Sequence, residues 1–287
     1  MTDAQPASRW LVSTEWLAAR LGQRDLVVVD GSYYLPNQNR DAHAEYLAAH
    51  IPGAVFFDIE EVADKSTSLP HMLPGPTHFS KAAGALGISR QDTIVVYDGV
   101  GLFSAPRVWW TFRIFGAGKV YILDGGLPQW SEEGRPVEVG AVTREARTFD
   151  ADMDTRKVAT VSEVQLALAS GIEQVVDARS RERFRGVAPE PRPGLRSGHM
   201  PGALNVPYQN VLEGNRLASK EKITAAFAAA GVDPDKPVIT SCGSGVTAAI
   251  LWLALDAVGK PPAALFDGSW TEWASRADLP IESEQKG

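Results

Sequence analysis

The 287-residue sequence predicts an α/β protein made of two successive copies of one domain, each a mostly parallel sheet flanked by helices on both faces. Two observations lead there. The chain repeats a set of short motifs at a spacing of roughly 140 residues, and within each copy short apolar runs alternate with helical patterns. A composition of 44% hydrophobic and 22% charged residues is that of an ordinary globular chain, long enough for two domains.

The repeat is visible in four places, in the same order in both copies. Val12-Ser13-Thr14-Glu15-Trp16-Leu17 is echoed by Val161-Ser162-Glu163-Val164-Gln165-Leu166, and His50-Ile51-Pro52-Gly53-Ala54 by His199-Met200-Pro201-Gly202-Ala203, both 149 positions on. Leu86-Gly87-Ile88 returns as Ala230-Gly231-Val232, 144 positions on. Asp124-Gly125-Gly126 with Trp130 returns as Asp267-Gly268-Ser269 with Trp273, 143 positions on. The period is far longer than that of a solenoid, so each copy is a globular unit.

In the first copy, residues 26–29, 94–97 and 120–123 are uninterrupted apolar runs, as strands covered on both faces should be. Residues 13–21, 80–86 and 104–115 carry the helical patterns between them. The second copy matches, with strands at 175–176, 238–240 and 264–266 and helices at 162–169, 222–230 and 246–258. Ser162 with Gln165 has the form of a capping box, and Gly171 is a natural stop. Residues 134–160 are charged and poor in large apolar side chains and read as a linker. The expected division is therefore 1–133, linker, 161–287.

Charge and cysteine content exclude several functions. Lys plus Arg number 28 and Asp plus Glu 35, a net charge of −7 with no basic cluster. This argues against nucleic-acid and anionic-membrane partners. The one cysteine, Cys242, rules out an intramolecular disulfide and any multi-cysteine metal site. No metal and no organic cofactor is expected. The first ten residues lack a basic segment followed by an apolar run, and the apolar stretch 248–258 is too short to span a bilayer. A reducing, cytoplasmic location is expected.

The segment Thr240-Ser241-Cys242-Gly243-Ser244-Gly245-Val246-Thr247-Ala248 holds the chemistry. A buried strand ends at Ser241 and a helix is expected to begin near Val246. The thiol thus sits at the carboxyl end of a strand and the amino end of a helix, where open α/β sheets bind ligands. Loop amides and the helix dipole there favour an anion, hence the thiolate. Gly243 and Gly245 let the loop curl with its amides inward. Taken alone, the pattern also suits a small buried cysteine in a tight turn. The first copy has Asp98 at the matching place, within Tyr97-Asp98-Gly99-Val100-Gly101, and so keeps the loop without the nucleophile.

With these motifs the chain resembles the tandem rhodanese family of sulfurtransferases, from about Trp10 to Ile281. The carriers are the paired His-x-Pro-Gly-Ala segments, Leu123-Asp124-Gly125-Gly126 and the cysteine loop. Cys242-Gly243-Ser244-Gly245-Val246-Thr247 is similar to the mercaptopyruvate branch; the thiosulfate branch carries Arg and Lys where Gly243 and Ser244 stand. The resemblance implies a persulfide on Cys242 and a sulfur donor, 3-mercaptopyruvate or alternatively thiosulfate. It also implies an acceptor such as a thiol, thioredoxin among them, or cyanide. Its substrate-carboxylate arginines fall on Arg183 and Arg192, although spacing alone does not separate these from Arg179, Arg181, Arg185 and Arg196. Gly243, Gly245, Val246 and Thr247 would contact substrate, with Ser244 beside the thiol as a hydrogen-bond donor or proton relay. A neutral loop with remote arginine forks suits an α-keto acid better than a compact dianion.

His50 and His199 precede Pro-Gly in both copies, which is the mark of a structural turn. The resemblance nevertheless implies a first-domain histidine facing the cleft with an acid and the loop serine, which would be His50, Asp41 and Ser244. His71 and His78 are expected at the surface, and Trp16, Trp109, Trp110 and Trp252 in packed helix faces. A phosphatase of similar fold needs Cys-x5-Arg, and position 248 is Ala. A silent binding module is the remaining alternative, since the first copy looks like one.

Overall fold

Residues 8–284 are described here from a computed structural model. The first seven residues, which bear on the expected lack of a leader, and residues 285–287 lie outside the described part.

The first half runs β1 (Leu11–Val12), α1 (Thr14–Ala18), β2 (Leu26–Asp30), α2 (Ala42–Ala48), β3 (Val55–Phe56), α3 (Ile59–Val62), α4 (Pro76–Ala85), β4 (Thr93–Tyr97), α5 (Ala105–Ile114), β5 (Val120–Leu123) and α6 (Gly126–Glu132). The second runs β6 (Val158–Ala159), α7 (Val161–Ser170), β7 (Gln174–Asp177), α8 (Arg181–Phe184), β8 (Leu204–Asn205), β9 (Leu212–Glu213), β10 (Arg216–Leu217), α9 (Lys220–Ala229), β11 (Val238–Ser241), α10 (Ala248–Ala257), β12 (Ala264–Phe266) and α11 (Ser269–Ser275). The sheets have orders β1-β5-β4-β2-β3 and β6-β12-β11-β7-β8, every pairing parallel. One topology is thus used twice. The second half adds only the small antiparallel hairpin β9–β10.

The central strands β2, β4, β7 and β11 come from the apolar runs, because helices cover both of their faces, and polar side chains enter them only at their ends, apart from Thr240. The edge strands β1, β3, β6 and β8 have two residues each, too short to show a pattern in sequence. Helix α7 is capped two residues earlier than expected. The Thr160 hydroxyl accepts from Glu163 N–H, and the Glu163 carboxylate accepts from Thr160 N–H at 2.7 Å, leaving Ser162 inside the helix. Gly171 ends it with φ of 65°. Helix α10 starts at Ala248, two residues after the expected Val246, and Gly245 just before it takes φ of +79°.

Residues 134–157 lie along the first half. Phe149 is buried there, with its ring 5.2 Å from Phe79, and the Arg147 N–H donates to Gly84. Strand β6 occupies the end of the segment read as a linker. Helices α5 and α10 pack across the junction of the halves, where Trp110 and Trp252 meet at 6.0 Å. One apolar core therefore runs through both halves. Trp109, Trp110 and Trp252 belong to it as expected, and Trp16 packs on Tyr121 at 6.0 Å.

Candidate active site

A cleft of about 140 Å³ opens at the carboxyl end of β11. Cys242 lies in its floor, 1% exposed. Gly243, Ser244, Val246 and Thr247 form one wall, Arg183 and Arg192 stand at another, and Leu35 and Phe103 of the first half close a third. Both halves thus build the site.

The loop's shape is set by where its carbonyls point. The Cys242 carbonyl accepts from Trp270 N–H at 3.0 Å, and that of Gly243 from the Thr271 N–H and hydroxyl at 2.9 and 2.7 Å. These donors belong to the first turn of α11. The Cys242 N–H donates to the Ser269 hydroxyl. In a planar peptide C=O and N–H point opposite ways, so carbonyls tied to α11 turn the N–H groups of Gly243 and Ser244 away from it. Among the described residues, none of the N–H groups of residues 243–247 finds an acceptor. Five adjacent donors without acceptors make an anion-binding concavity. Gly245, expected to touch substrate, is not in the lining; its carbonyl faces Arg107 of the first half at 3.4 Å.

The first half shows what such a loop holds. The Asp98 carboxylate, fully buried, accepts from the N–H groups of Val100, Gly101, Phe103, Ser104 and Ala105 at 2.7–2.9 Å. There the anion is built into the chain.

Of the six arginines in the 179–196 stretch, burial and pairing separate four. Arg179 is fully buried, tied to Asp177 and Glu190 and stacked on Trp270 at 4.3 Å. Arg185 pairs with Glu284 at the surface, and Arg196 donates to carbonyls around the end of α11. Arg181 is exposed. Arg183 and Arg192 are the two at the cleft. Glu190 also holds Arg183 at 2.5 Å, so one buried carboxylate positions two guanidinium groups. A Cβ at position 243 would lie 2.9 Å from Arg183 Nη2, so a side chain there would displace that guanidinium.

The histidine expectation is corrected. His50 is fully buried in the first half, stacked on Tyr46, with Nδ1 at 2.8 Å from the Tyr46 carbonyl and Nε2 facing Glu138. His199 is placed alike, on Phe184 and facing Glu282. Both serve the repeated turn. Asp41 caps α2 through Ala44 N–H and is exposed. Neither His50 nor Asp41 lines the cleft with Ser244. The histidine that touches a cleft residue is His71, expected at the surface but 2% exposed and lying behind Arg192. Arg192 Nη2 lies 2.9 Å from its Nε2. A guanidinium can only donate, so Nε2 is the acceptor and Nδ1 carries the proton, 3.4 Å from Glu60. Burial, with Arg192 and Arg107 alongside, pushes the His71 pKa down to about 3, and the ring is neutral. The usable signal was the repeat: His50 has a partner 149 residues on, whereas Pro70-His71-Met72-Leu73-Pro74 has none. His78 is exposed as expected.

Among the described residues no cluster of His, Cys, Asp and Glu could hold a metal, and no helix is long and apolar enough to cross a membrane.

Residues 13–133 and 160–276 each match the family model of the rhodanese-like domain. A 3-mercaptopyruvate sulfurtransferase of Escherichia coli is 45% identical over 277 residues, covering 96% of this chain and 99% of that one. A thiosulfate/3-mercaptopyruvate sulfurtransferase of Arabidopsis thaliana, named as mitochondrial, is 43% identical over 304 residues, covering 98% and 80%. The crystal structure of Escherichia coli SseA, described as a 3-mercaptopyruvate sulfotransferase of rhodanese fold, superimposes with a TM-score of 0.85 at 42% identity, covering 91% of this chain and 98% of that one.

Proposed function

The chain belongs to the rhodanese family, with two such domains in tandem, and from that premise we propose that it is a sulfurtransferase that takes sulfur from 3-mercaptopyruvate through a persulfide on Cys242. The observation that carries the reading is the single cysteine in the floor of a cleft, ringed by amides without acceptors and faced by two arginines.

In the first half-reaction the Cys242 thiolate attacks the donor sulfur. The carbon–sulfur bond breaks, its electron pair leaves as the pyruvate enolate, and a proton at carbon completes pyruvate. Cys242 keeps the sulfur as a persulfide. In the second, a thiol or cyanide attacks the outer sulfur and the Cys242 thiolate is regenerated. The amides of residues 243–247 stabilise the thiolate and then the persulfide anion without reorganising. Arg183 and Arg192 hold the substrate carboxylate. Ser244, in the wall of the cleft, donates to the keto oxygen. His71, neutral and accepting from Arg192, fixes that guanidinium at the cleft wall. The first domain, with Asp98 in the anion position, performs no chemistry of its own.

Thiosulfate is the second donor, favoured by the name of the plant relative. A loop that carries no charge of its own, faced by two arginines that can fork onto a carboxylate, favours the keto acid. A mechanism that depends on a free thiol suits a reducing compartment, and we assign the cytoplasm. The test is intact mass: donor treatment should add one sulfur, about 32 Da, to the wild type and nothing to Cys242→Ser. Pyruvate release by a folded Cys242→Ser protein would overturn the covalent route.

A further inference from the structure

We propose that Arg107, on helix α5 of the first domain, is a positioning residue for the Cys242 loop of the second, and that supplying it is a catalytic duty of the domain that has no nucleophile. The proposal rests on the reading of Cys242 as the sulfur carrier.

The two loops are held in different ways. In the first domain Asp98 shapes its loop from inside, by drawing five N–H groups onto one carboxylate. Cys242 offers no such carboxylate, and the N–H groups of residues 243–247 find no acceptor among the described residues, so the second loop is not drawn together from inside. Its shape has to be imposed from behind. Part of this comes from α11, which ties down the Cys242 and Gly243 carbonyls. The remaining support is Arg107.

Arg107 is 2% exposed. Its Nη2 lies 2.6 Å from Asp267 Oδ1 and 2.6 Å from the His71 carbonyl, and its Nη1 lies 3.4 Å from the Gly245 carbonyl. Trp110 packs under the guanidinium at 4.9 Å. Asp267, at the carboxyl end of β12, also accepts from Leu73 N–H at 2.7 Å, so the pair is anchored from both domains. A Cβ at position 245 would meet Arg107 Nη1 at 2.8 Å and the Asp267 carbonyl at 3.0 Å. The pair thus fills the space behind Gly245, whose φ of +79° turns its carbonyl outward onto the guanidinium. An outward carbonyl is one that does not face the developing anion.

The arrangement is not part of the duplicated fold. The position 144 residues after Arg107 is Leu251, an apolar core residue. The first loop, shaped by Asp98, receives a half-exposed arginine in return: Arg216 of the second half pairs with Asp124, the counterpart of Asp267, at 3.4 Å, with 44% of its side chain exposed. It is covered by the β9–β10 hairpin, where Asn215 donates to Gly125. The buried cation goes only where the internal carboxylate is missing.

Removing Arg107 alone would leave Asp267 buried and unpaired and could unfold the protein. The test therefore uses Arg107→Met combined with Asp267→Asn, which removes both charges, alongside Arg107→Lys. Steady-state rates are measured with 3-mercaptopyruvate and with thiosulfate, and single-turnover persulfide formation by intact mass. The wild type must first show the Cys242 adduct; if it does not, the function is wrong and this inference goes with it. Given that adduct, the double variant should melt within a few degrees of the wild type, yet lose at least tenfold in kcat and in the rate of persulfide formation with both donors, because the loop amides serve the transferred sulfur whatever carries it. Arg107→Lys should recover stability but less than half of the lost rate, since an ammonium cannot bond Asp267, His71 and Gly245 together. A stable double variant with wild-type kcat on either donor would overturn the proposal, and so would full recovery by lysine.

Discussion

Asp98 and Cys242 occupy the same place in the two halves, one residue past the ends of β4 and β11, and each begins a loop that leads into a buried helix. Around Asp98 the loop amides are spent on its carboxylate; around Cys242 they are unspent. One duplicated framework thus gives a closed anion site in the first domain and an open one in the second.

Asp98→Ala should be expensive for stability and nearly neutral for chemistry. It strands five buried N–H groups, and the loss should be about 3–5 kcal/mol, well above that of a simple helix cap. Urea unfolding measures the loss. The kcat of the fraction that stays folded should remain within about threefold of wild type, since Asp98 touches no substrate. A tenfold fall in a stably folded sample would mean that the first loop takes part in turnover.

Arg183→Leu should weaken use of 3-mercaptopyruvate by about 1.5–3 kcal/mol, roughly 10- to 150-fold in kcat/KM, with a smaller effect on thiosulfate. Arg183→Lys should recover only part of it, because a point charge does not reproduce the fork. Arg192→Leu should act in the same direction. Arg181→Leu and Arg185→Leu are the controls, one exposed and the other paired with Glu284. Equal losses at all four positions would point to a diffuse field and remove the assignment of a carboxylate clamp.

Gly243→Arg with Ser244→Lys should shift the ratio of kcat/KM values toward thiosulfate. The new cations favour a dianion. The side chain at 243 also runs into Arg183 Nη2, so the clamp is pushed aside. The predicted signature is a rise in KM for 3-mercaptopyruvate larger than any change for thiosulfate. An unchanged ratio would show that loop charge does not set donor choice.

His71→Gln should flatten the acid limb of the stability curve. An unfolded histidine binds a proton below about pH 6.5, whereas folded His71 does so only near 3. At pH 7 both states are neutral there and the group contributes nothing. As pH falls from about 6.5 toward 3 only the unfolded chain takes up the proton, and stability falls by up to about 1.4 kcal/mol per unit. Unfolding midpoints in urea between about pH 6.5 and 4.5 should therefore drop less steeply in the variant. Parallel slopes would mean that His71 is charged in the folded protein and does not accept from Arg192.

The sequence by itself determined the duplication, the parallel sheets and the cysteine loop. Each is carried by residues adjacent in the chain: apolar runs for strands covered on both faces, and a Cys-Gly-x-Gly turn between a strand and a helix. It also marked Arg183 and Arg192, through resemblance. The tertiary structure decided what depends on residues distant in sequence. Nothing local in Pro70-His71-Met72 says that this histidine is buried against Arg192, 121 positions away, and the motif containing His50 pointed to a turn the fold uses twice. Nor does the helix bearing Arg107 announce that its guanidinium crosses to Asp267 and Gly245. Local patterns report covalent neighbours and solvent exposure; a buried polar contact between domains is set by how two finished units pack, and only the folded chain holds that information.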